Sequence, residues 1–327
     1  MGVVTPLDGA VVRPDVRVPV LTRLIPPVLR SETAYRRFAL WAVITNVIIV
    51  VSGGAVRLTD SGLGCPTFPR CTDATLTPTK AYGIHGIIEF SNRQLTFVVA
   101  FFAIACWLIA LARRQERLLA TLLALSIPLQ ALLGGITVLT HLNPWAVGSH
   151  FMVSVVILFV AFWLWWRVRD SEAAVSVPAP AQALARLTAL ITVVVLVFGT
   201  IVTGAGPHAG DKDASGKVHR NGLKVSSMAQ LHADSVWILV GATVGLVAVF
   251  YAVHAADRVR RAALLLLGVE LGQGVIGYVQ YFLHVPPLLV GLHMLGACLL
   301  WLAVLYVLAQ LEPRAVRKPS AVTLRTG

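Results

Sequence analysis

The sequence predicts an all-α integral membrane protein of eight transmembrane helices, arranged as two tandem four-helix bundles related by a pseudo-twofold parallel to the membrane normal. Three observations lead there. Of 327 residues, 57% are hydrophobic and only 13% are charged, with a mean hydropathy of +0.78, outside the profile of a soluble domain. Eight apolar runs, each close to the roughly 20 residues that cross a bilayer, fall at approximately 38–56, 86–111, 118–139, 146–166, 186–204, 229–253, 262–281 and 287–310. The third observation is an internal repeat. "QALLGGITVLTHLNPWAVGSHFMVS" from Gln130 and "QGVIGYVQYFLHVPPLLVGLHMLGA" from Gln273 superpose at a shift of 143, which sets Gln130 on Gln273, Gly134 on Gly277, His141 on His284, Pro144 on Pro287, Gly148 on Gly291 and His150 on His293.

Each half of the repeat supplies four spans. An even number starts both halves on the same side, as in parallel repeats whose axis lies along the membrane normal. The expected division is a basic tail at 1–37, an N-terminal bundle at 38–169, an Ala/Pro-rich linker at 170–183, a C-terminal bundle at 184–311 and a second tail at 312–327. The first 30 residues hold four arginines and no adequate apolar core, so the first span is expected to act as its own insertion signal.

Orientation follows from the basic residues. The tails and the connections on their side hold 19 of the 27, including Arg13, Arg36, Arg113, Arg167, Arg258 and Arg317. The alternate connections hold only Arg57, Arg70, Lys80, Lys212, Lys217, Arg220 and Lys224, with Arg93 just inside a span. The positive-inside rule then places both termini in the cytoplasm. The net charge of +12 is accounted for by topology, which removes the argument for a nucleic-acid partner and leaves membrane lipid as the surroundings.

Of the four cysteines, Cys65 and Cys71 lie in "GCPTFPRCT" in the first outside connection, an oxidising location that suits a short bridged loop. Cys106 and Cys298 lie in spans and read as packing residues.

The histidines mark depth. His150 lies six residues past Pro144 and His293 six past Pro287, while His232 lies near the start of the sixth span. At about 1.5 Å per residue all three fall in the outer part of the membrane. His232 and His293 therefore sit where they can face each other across the C-terminal bundle. Two inward-pointing neutral imidazoles are how such bundles hold a haem axially. Each histidine satisfying only a local hydrogen bond is the alternative; recurrence of His293 as His150, with flanking Gly and Pro, favours ligation.

In the N-terminal bundle the position matching His232 falls on Asn92, in "HGIIEFSNRQLT". An amide is a poor iron ligand, so this site is expected to be asymmetric, with iron held chiefly by His150. His85, Glu89 and Asn92 follow an i, i+4, i+7 spacing and share a helix face, and His85 lies one to two turns above Asn92. Glu89 and Arg93 are open to two readings: an i, i+4 ion pair, or a carboxyl held at a reactive centre as acid, base or proton relay.

The stretches "GGAVRLTDSGLGCPTFPRC", "IEFSNR", "GGITVLTHLNPW" and "GTIVTGAGPHAGD" resemble the haem A synthase family, in a form similar to its actinobacterial branch. The resemblance extends over essentially all eight spans. It implies oxidation of the C8 methyl of haem O to a formyl, giving haem A for the terminal oxidase. It further implies a haem b cofactor between His232 and His293, handling of the substrate haem through His150, a working acidic residue at Glu89 and a paired Cys65 and Cys71. Many members of the family have histidine where this chain has Asn92; in the actinobacterial branch Asn is usual there.

From the resemblance follow an outline and its setting. Haem b relays electrons from a donor such as quinol, haem O arrives from the haem O synthase that makes it, and its methyl lies near Glu89. Arg57 and Arg93 neutralise propionates, and the location is a bacterial plasma membrane with both haem sites toward the outer face. Two readings compete: a dihaem b-type cytochrome passing electrons from quinol, and a transporter built on a parallel repeat.

Overall fold

The computed structural model describes residues 31–169, 176–210 and 218–312. Most of both expected tails, and residues 170–175 of the expected linker, lie outside the described residues. Eight long helices account for most of the rest: α1 (Glu32–Leu58), α2 (Gly83–Arg113), α3 (Arg117–Leu139), α4 (Pro144–Val168), α5 (Ala179–Ala205), α6 (Val225–Ala252), α7 (Asp257–Phe282) and α8 (Pro287–Leu311), with a short 3-10 turn at Lys80–Tyr82 before α2. Each is long and apolar enough to cross a membrane, and among the described residues there is no β-strand. In lipid every backbone polar group has to be satisfied within the segment, which leaves the helix as the form these runs can take.

All eight expected spans are helices, and most run beyond their apolar stretches. α1 begins at Glu32 and α5 at Ala179, inside the segments expected to be tail and linker. Hydropathy registers only the lipid-facing stretch, whereas capping sets the ends. The Ser31 hydroxyl accepts from Ala34 N at 3.1 Å. The Asn143 side chain accepts from Trp145 N at 2.9 Å at the start of α4. Proline opens α4, α5 and α8, where its missing N–H leaves no bond unmade.

The α3–α4 and α7–α8 turns have the same backbone course, 143 residues apart. His141 and Leu142 (φ 51° and 56°) and His284 and Val285 (φ 60° and 56°) are consecutive left-handed residues. None is glycine, so both turns carry backbone strain. His208 Nε2 donates to the Val285 carbonyl at 2.9 Å, tying the segment after α5 to the second turn.

Contacts run α1 to α2, α2 to α3, α3 to α4 and α4 back to α1, closing one ring; α5 to α8 close another in the same order. The two meet where α1 packs on α8 and where α4 packs on α5 and α8. The large, fully buried side chains lie mostly in the half of the molecule holding the start of α1 and the end of α8: Tyr35, Leu123, Leu164, Leu246, Phe250, Val259, Leu266 and Leu305. That end is packed solid. The opposite end, which carries the disulfide loop, is lined by glycine, histidine and amide groups.

Candidate functional site

At the disulfide end, each consecutive helix pair meets across a glycine of its odd-numbered member. A Cβ built on Gly199 of α5 would stand 3.4 Å from His232 Cε1 of α6, one on Gly277 of α7 3.5 Å from His293 Cε1 of α8, and one on Gly134 of α3 3.6 Å from His150 Cε1 of α4. The fourth pair has Gly53 of α1 facing Asn92 Nδ2 of α2 at 3.9 Å. These are ordinary contact distances, so each imidazole lies against bare backbone. Bare backbone there lets the helices approach closely.

The structure brings His232 and His293 together. Their ring centroids are 6.4 Å apart and the ring planes are 81° to each other. Two metal–imidazole bonds of about 2 Å, with about 1 Å from each nitrogen to its ring centre, require about 6 Å between centres. The observed spacing meets that requirement with the histidines in place. Both side chains are half-buried, and the Nδ1 atoms of His150, His232 and His293 are all buried without a hydrogen-bond partner among the described residues. A histidine that ligates through Nε2 ordinarily donates its Nδ1–H to an acceptor; among the described residues these three rings have none, and the ring spacing alone carries the ligand reading.

The seam between α1 and α2 is built differently. Cys65 and Cys71 form a disulfide, and the loop it closes is clamped onto α2. Glu89, only 5% exposed, accepts from Cys65 N through Oε2 at 2.6 Å and from Arg93 Nε through Oε1 at 3.1 Å. Arg93 also donates through Nη1 to the carbonyls of Thr67 and Arg70 and through Nη2 to that of Cys65 and to Glu89 Oε1. Its five donors are all engaged. The Glu89–Arg93 pair is thus an i, i+4 ion pair that also fastens the disulfide loop.

His85 Nδ1 is 2.9 Å from Ser61 Oγ in the same loop, and Asn92 Oδ1 accepts from Ser52 Oγ of α1 at 2.7 Å. His85, Glu89 and Asn92 all turn to α1 and its following loop, as their shared face predicts. Phe68, from the disulfide loop, covers Gly135 of α3, next to the glycine that faces His150. Arg57, at the end of α1, reaches out of its own ring, donating through Nη2 to the Thr203 carbonyl of α5 at 3.2 Å, while its buried Nε has no partner among the described residues.

Two kinds of residue escaped the sequence reading. Gln130 and Gln273 stand in the repeat without an assigned role; the structure ties them to the turns carrying His150 and His293. Gln273 Nε2 donates to the His293 carbonyl at 2.8 Å, and Gln130 Nε2 to Ser154 Oγ at 2.8 Å and the His150 carbonyl at 3.5 Å. Glu270, midway along α7 and 3% exposed, accepts from Thr243 Oγ1 at 2.7 Å and leaves Oε2 without a partner among the described residues. Its signal was present, since an acid inside an apolar run is expensive in lipid.

Helical architecture and facing imidazoles define a class: a multi-pass membrane protein with a seam suited to an axially ligated haem. A profile of the cytochrome oxidase assembly protein family matches residues 36–305, nearly the whole helical part. The chain belongs to that family, the family of the haem A synthases. It is 29% identical to the haem A synthase of Exiguobacterium sibiricum over 177 residues, 52% of this chain and 59% of that protein. For the haem A synthase of Listeria welshimeri the identity is 30% over 129 residues, 36% of this chain and 40% of that protein. For that of Shewanella oneidensis it is 27% over 175 residues, 49% and 52%. The chain thus spans about two fifths to three fifths of the length of these relatives.

Proposed function

We propose that the protein is a haem A synthase, oxidising the C8 methyl of haem O to a formyl, with haem b held between His232 and His293. The observation that carries this reading is the 6.4 Å spacing of those two rings, in a chain whose family and relatives are those of haem A synthesis. Bound there, haem b supplies one-electron redox chemistry. His232 and His293 hold its iron, while Gly199 and Gly277 keep the seams open beside them.

The N-terminal seam takes the substrate. His150 holds the iron of haem O from α4, and Asn92, bonded to Ser52, gives no second strong ligand, so the substrate is held from one side and can leave. Two successive two-electron oxidations by an external oxidant, each replacing one methyl C–H by C–OH, take the methyl to an alcohol and then to a geminal diol, which loses water to the aldehyde. Glu89 serves this centre as acid or base while its pairing with Arg93 and Cys65 N holds the disulfide loop beside the seam. Arg57, at the junction of the two rings, is placed to meet a propionate.

The wider setting belongs to the same proposal. Helices α1–α4 and α5–α8 form two tandem bundles related by a pseudo-twofold along the membrane normal, in a bacterial plasma membrane with both termini cytoplasmic and the haem sites toward the outer face. Haem O comes from the synthase that makes it, and electrons from a donor such as quinol.

The test is to purify the protein from a host that makes haem O, extract the bound porphyrins and identify them by chromatography and mass. Haem b together with haem O, its alcohol or haem A is the expected result. Haem b alone would replace the reading with an electron-transfer cytochrome, and absence of any haem would remove both.

A further inference from the structure

The disulfide loop sends one large apolar side chain onto a neighbouring helix. Arg93 of α2 holds the loop carbonyls before and after it, those of Thr67 and Arg70 through Nη1 at 3.1 and 3.2 Å, and that of Cys65 through Nη2 at 2.8 Å. Phe68, between them, projects onto α3. A Cβ built on Gly135 would stand 2.6 Å from Phe68 Cδ1, 2.8 Å from Cε1 and 3.0 Å from Cγ, so the ring sits where only a glycine leaves room. Gly135 is buried, whereas Phe68 remains 37% exposed. The ring is a cover over the helix, not a part of the core.

This seat is peculiar to the first ring. The repeat that sets Gly134 on Gly277 sets Gly135 on Tyr278, a half-exposed residue whose own side chain takes the place of a seat. The seat also falls at a weak joint. At the disulfide end α1 and α2 are bonded through Ser52 Oγ and Asn92 Oδ1, and α3 and α4 through Gln130 Nε2 and Ser154 Oγ. Trp107 Nε1 of α2 donates to Thr121 Oγ1 of α3 at 3.1 Å, but near the opposite end. At the disulfide end α2 and α3 are joined through the loop, by the Arg93 clamp on one side and the Phe68 ring on the other. Few polar bonds and a part-exposed contact mark a joint that opens at low cost.

α3 stands between α2 and α4 in the ring of contacts, so parting α2 from α3 here opens the space between Asn92 and His150 to the side. Phe97 and Phe101 of α2 and Leu129 and Leu132 of α3 are exposed, as lipid-facing residues are. That side opening therefore leads into the membrane.

We infer that Phe68 is the latch of the substrate seam: seated on Gly135 it closes α2 against α3 over haem O, and its withdrawal admits haem O from the membrane and releases the product. Phe68 retains and positions the substrate and takes no part in the oxidation. The second ring, whose haem stays, has Tyr278 in place of the seat. The inference rests on the reading of the N-terminal seam as the haem O site.

The test is a release measurement on the purified full-length protein, carrying haem b and loaded with haem O. Excess apomyoglobin is added as scavenger, and the haems transferred and retained are identified by mass over time. Phe68→Ala leaves the disulfide and the Arg93 clamp in place and should release haem O about tenfold faster, the order expected for losing one part-buried aromatic contact. Gly135→Ala, which pushes the ring off its seat, should do the same, and the double variant should be no faster than Phe68→Ala. Phe68→Tyr should keep the wild-type rate, and haem b should stay bound throughout. Release from Phe68→Ala at the wild-type rate would overturn the inference, as would loss of haem b from Phe68→Ala in step with haem O, the sign of a general loosening. Additive effects in the double variant would also overturn it, because the ring and its seat then act apart. Wild-type protein that takes up no haem O would instead remove the reading on which the inference stands.

Discussion

The first ring, α1–α4, and the second, α5–α8, share the same order of contacts and differ in the residue that faces the glycine of their first helix. Both carry a glutamine, a glycine and a histidine at matched places on their last two helices, and both begin α4 or α8 after a pair of left-handed residues. On their first two helices they part. The second ring has Gly199 facing His232; the first has Gly53 facing Asn92, whose amide oxygen is bonded to Ser52. Only the first ring has a disulfide loop clamped by Glu89 and Arg93. On the proposed reading, a seam with two facing histidines suits a resident cofactor, and one with a single histidine under a tethered loop suits a molecule that must enter and leave.

The largest expected effect comes from breaking the closed seam. His293→Ala or His232→Ala removes an axial ligand and should abolish haem binding in the second ring, measured as haem b per protein after purification; retention of a bis-histidine spectrum would refute the assignment. Next is Glu89→Gln, which should abolish conversion or stall it at the alcohol while haem b content stays at the wild-type level. Unchanged haem A yield would exclude Glu89 from the chemistry.

Asn92→His makes the first seam like the second. It should add a second low-spin bis-histidine signal in electron paramagnetic resonance and slow turnover by holding the substrate from both sides; a spectrum identical to wild type would show that Asn92 does not face the iron. Replacing both Cys65 and Cys71 by serine should cost about 2 kcal/mol of local loop stability, as expected for releasing a short closed loop. It would be read as faster proteolysis between residues 59 and 79 with the second haem intact. Unaltered proteolysis would mean that the Arg93 clamp alone holds the loop. The smallest effect belongs to Gly53→Ala. The new methyl lies 3.9 Å from Asn92 Nδ2, an ordinary contact, and replacing a mid-helix glycine favours the helix by up to about 1 kcal/mol. Thermal stability should therefore be equal or slightly higher, and a marked loss would show that the seam needs bare backbone there.

Much of the site was readable from residues. The repeat paired His150 with His293, depth counting brought His232 beside His293, and the two loop cysteines formed their bond. What escaped was where polar groups spend their bonds. Arg93 was expected as an i, i+4 partner of Glu89 or at a haem propionate; it does pair with Glu89, and the three loop carbonyls that take its other donors are what the sequence did not show. His85 was within reach of the site by depth, yet it is bonded to Ser61. Such partnerships depend on how a loop folds back over a helix, and no periodicity in the chain encodes that.

By itself, then, the sequence determined the eight spans, the repeat and the set of histidines, because apolar length, charge placement and residue recurrence are properties of a line of residues. Tertiary structure alone decided that Gln273 turns its amide to His293, that Arg57 crosses to Thr203 of the other ring, and that Glu89 faces the Cys65 amide. Glycine seams bring helices close enough for such bonds. Which side chain then meets which depends on the rotation of each helix about its axis, a property of the packed assembly.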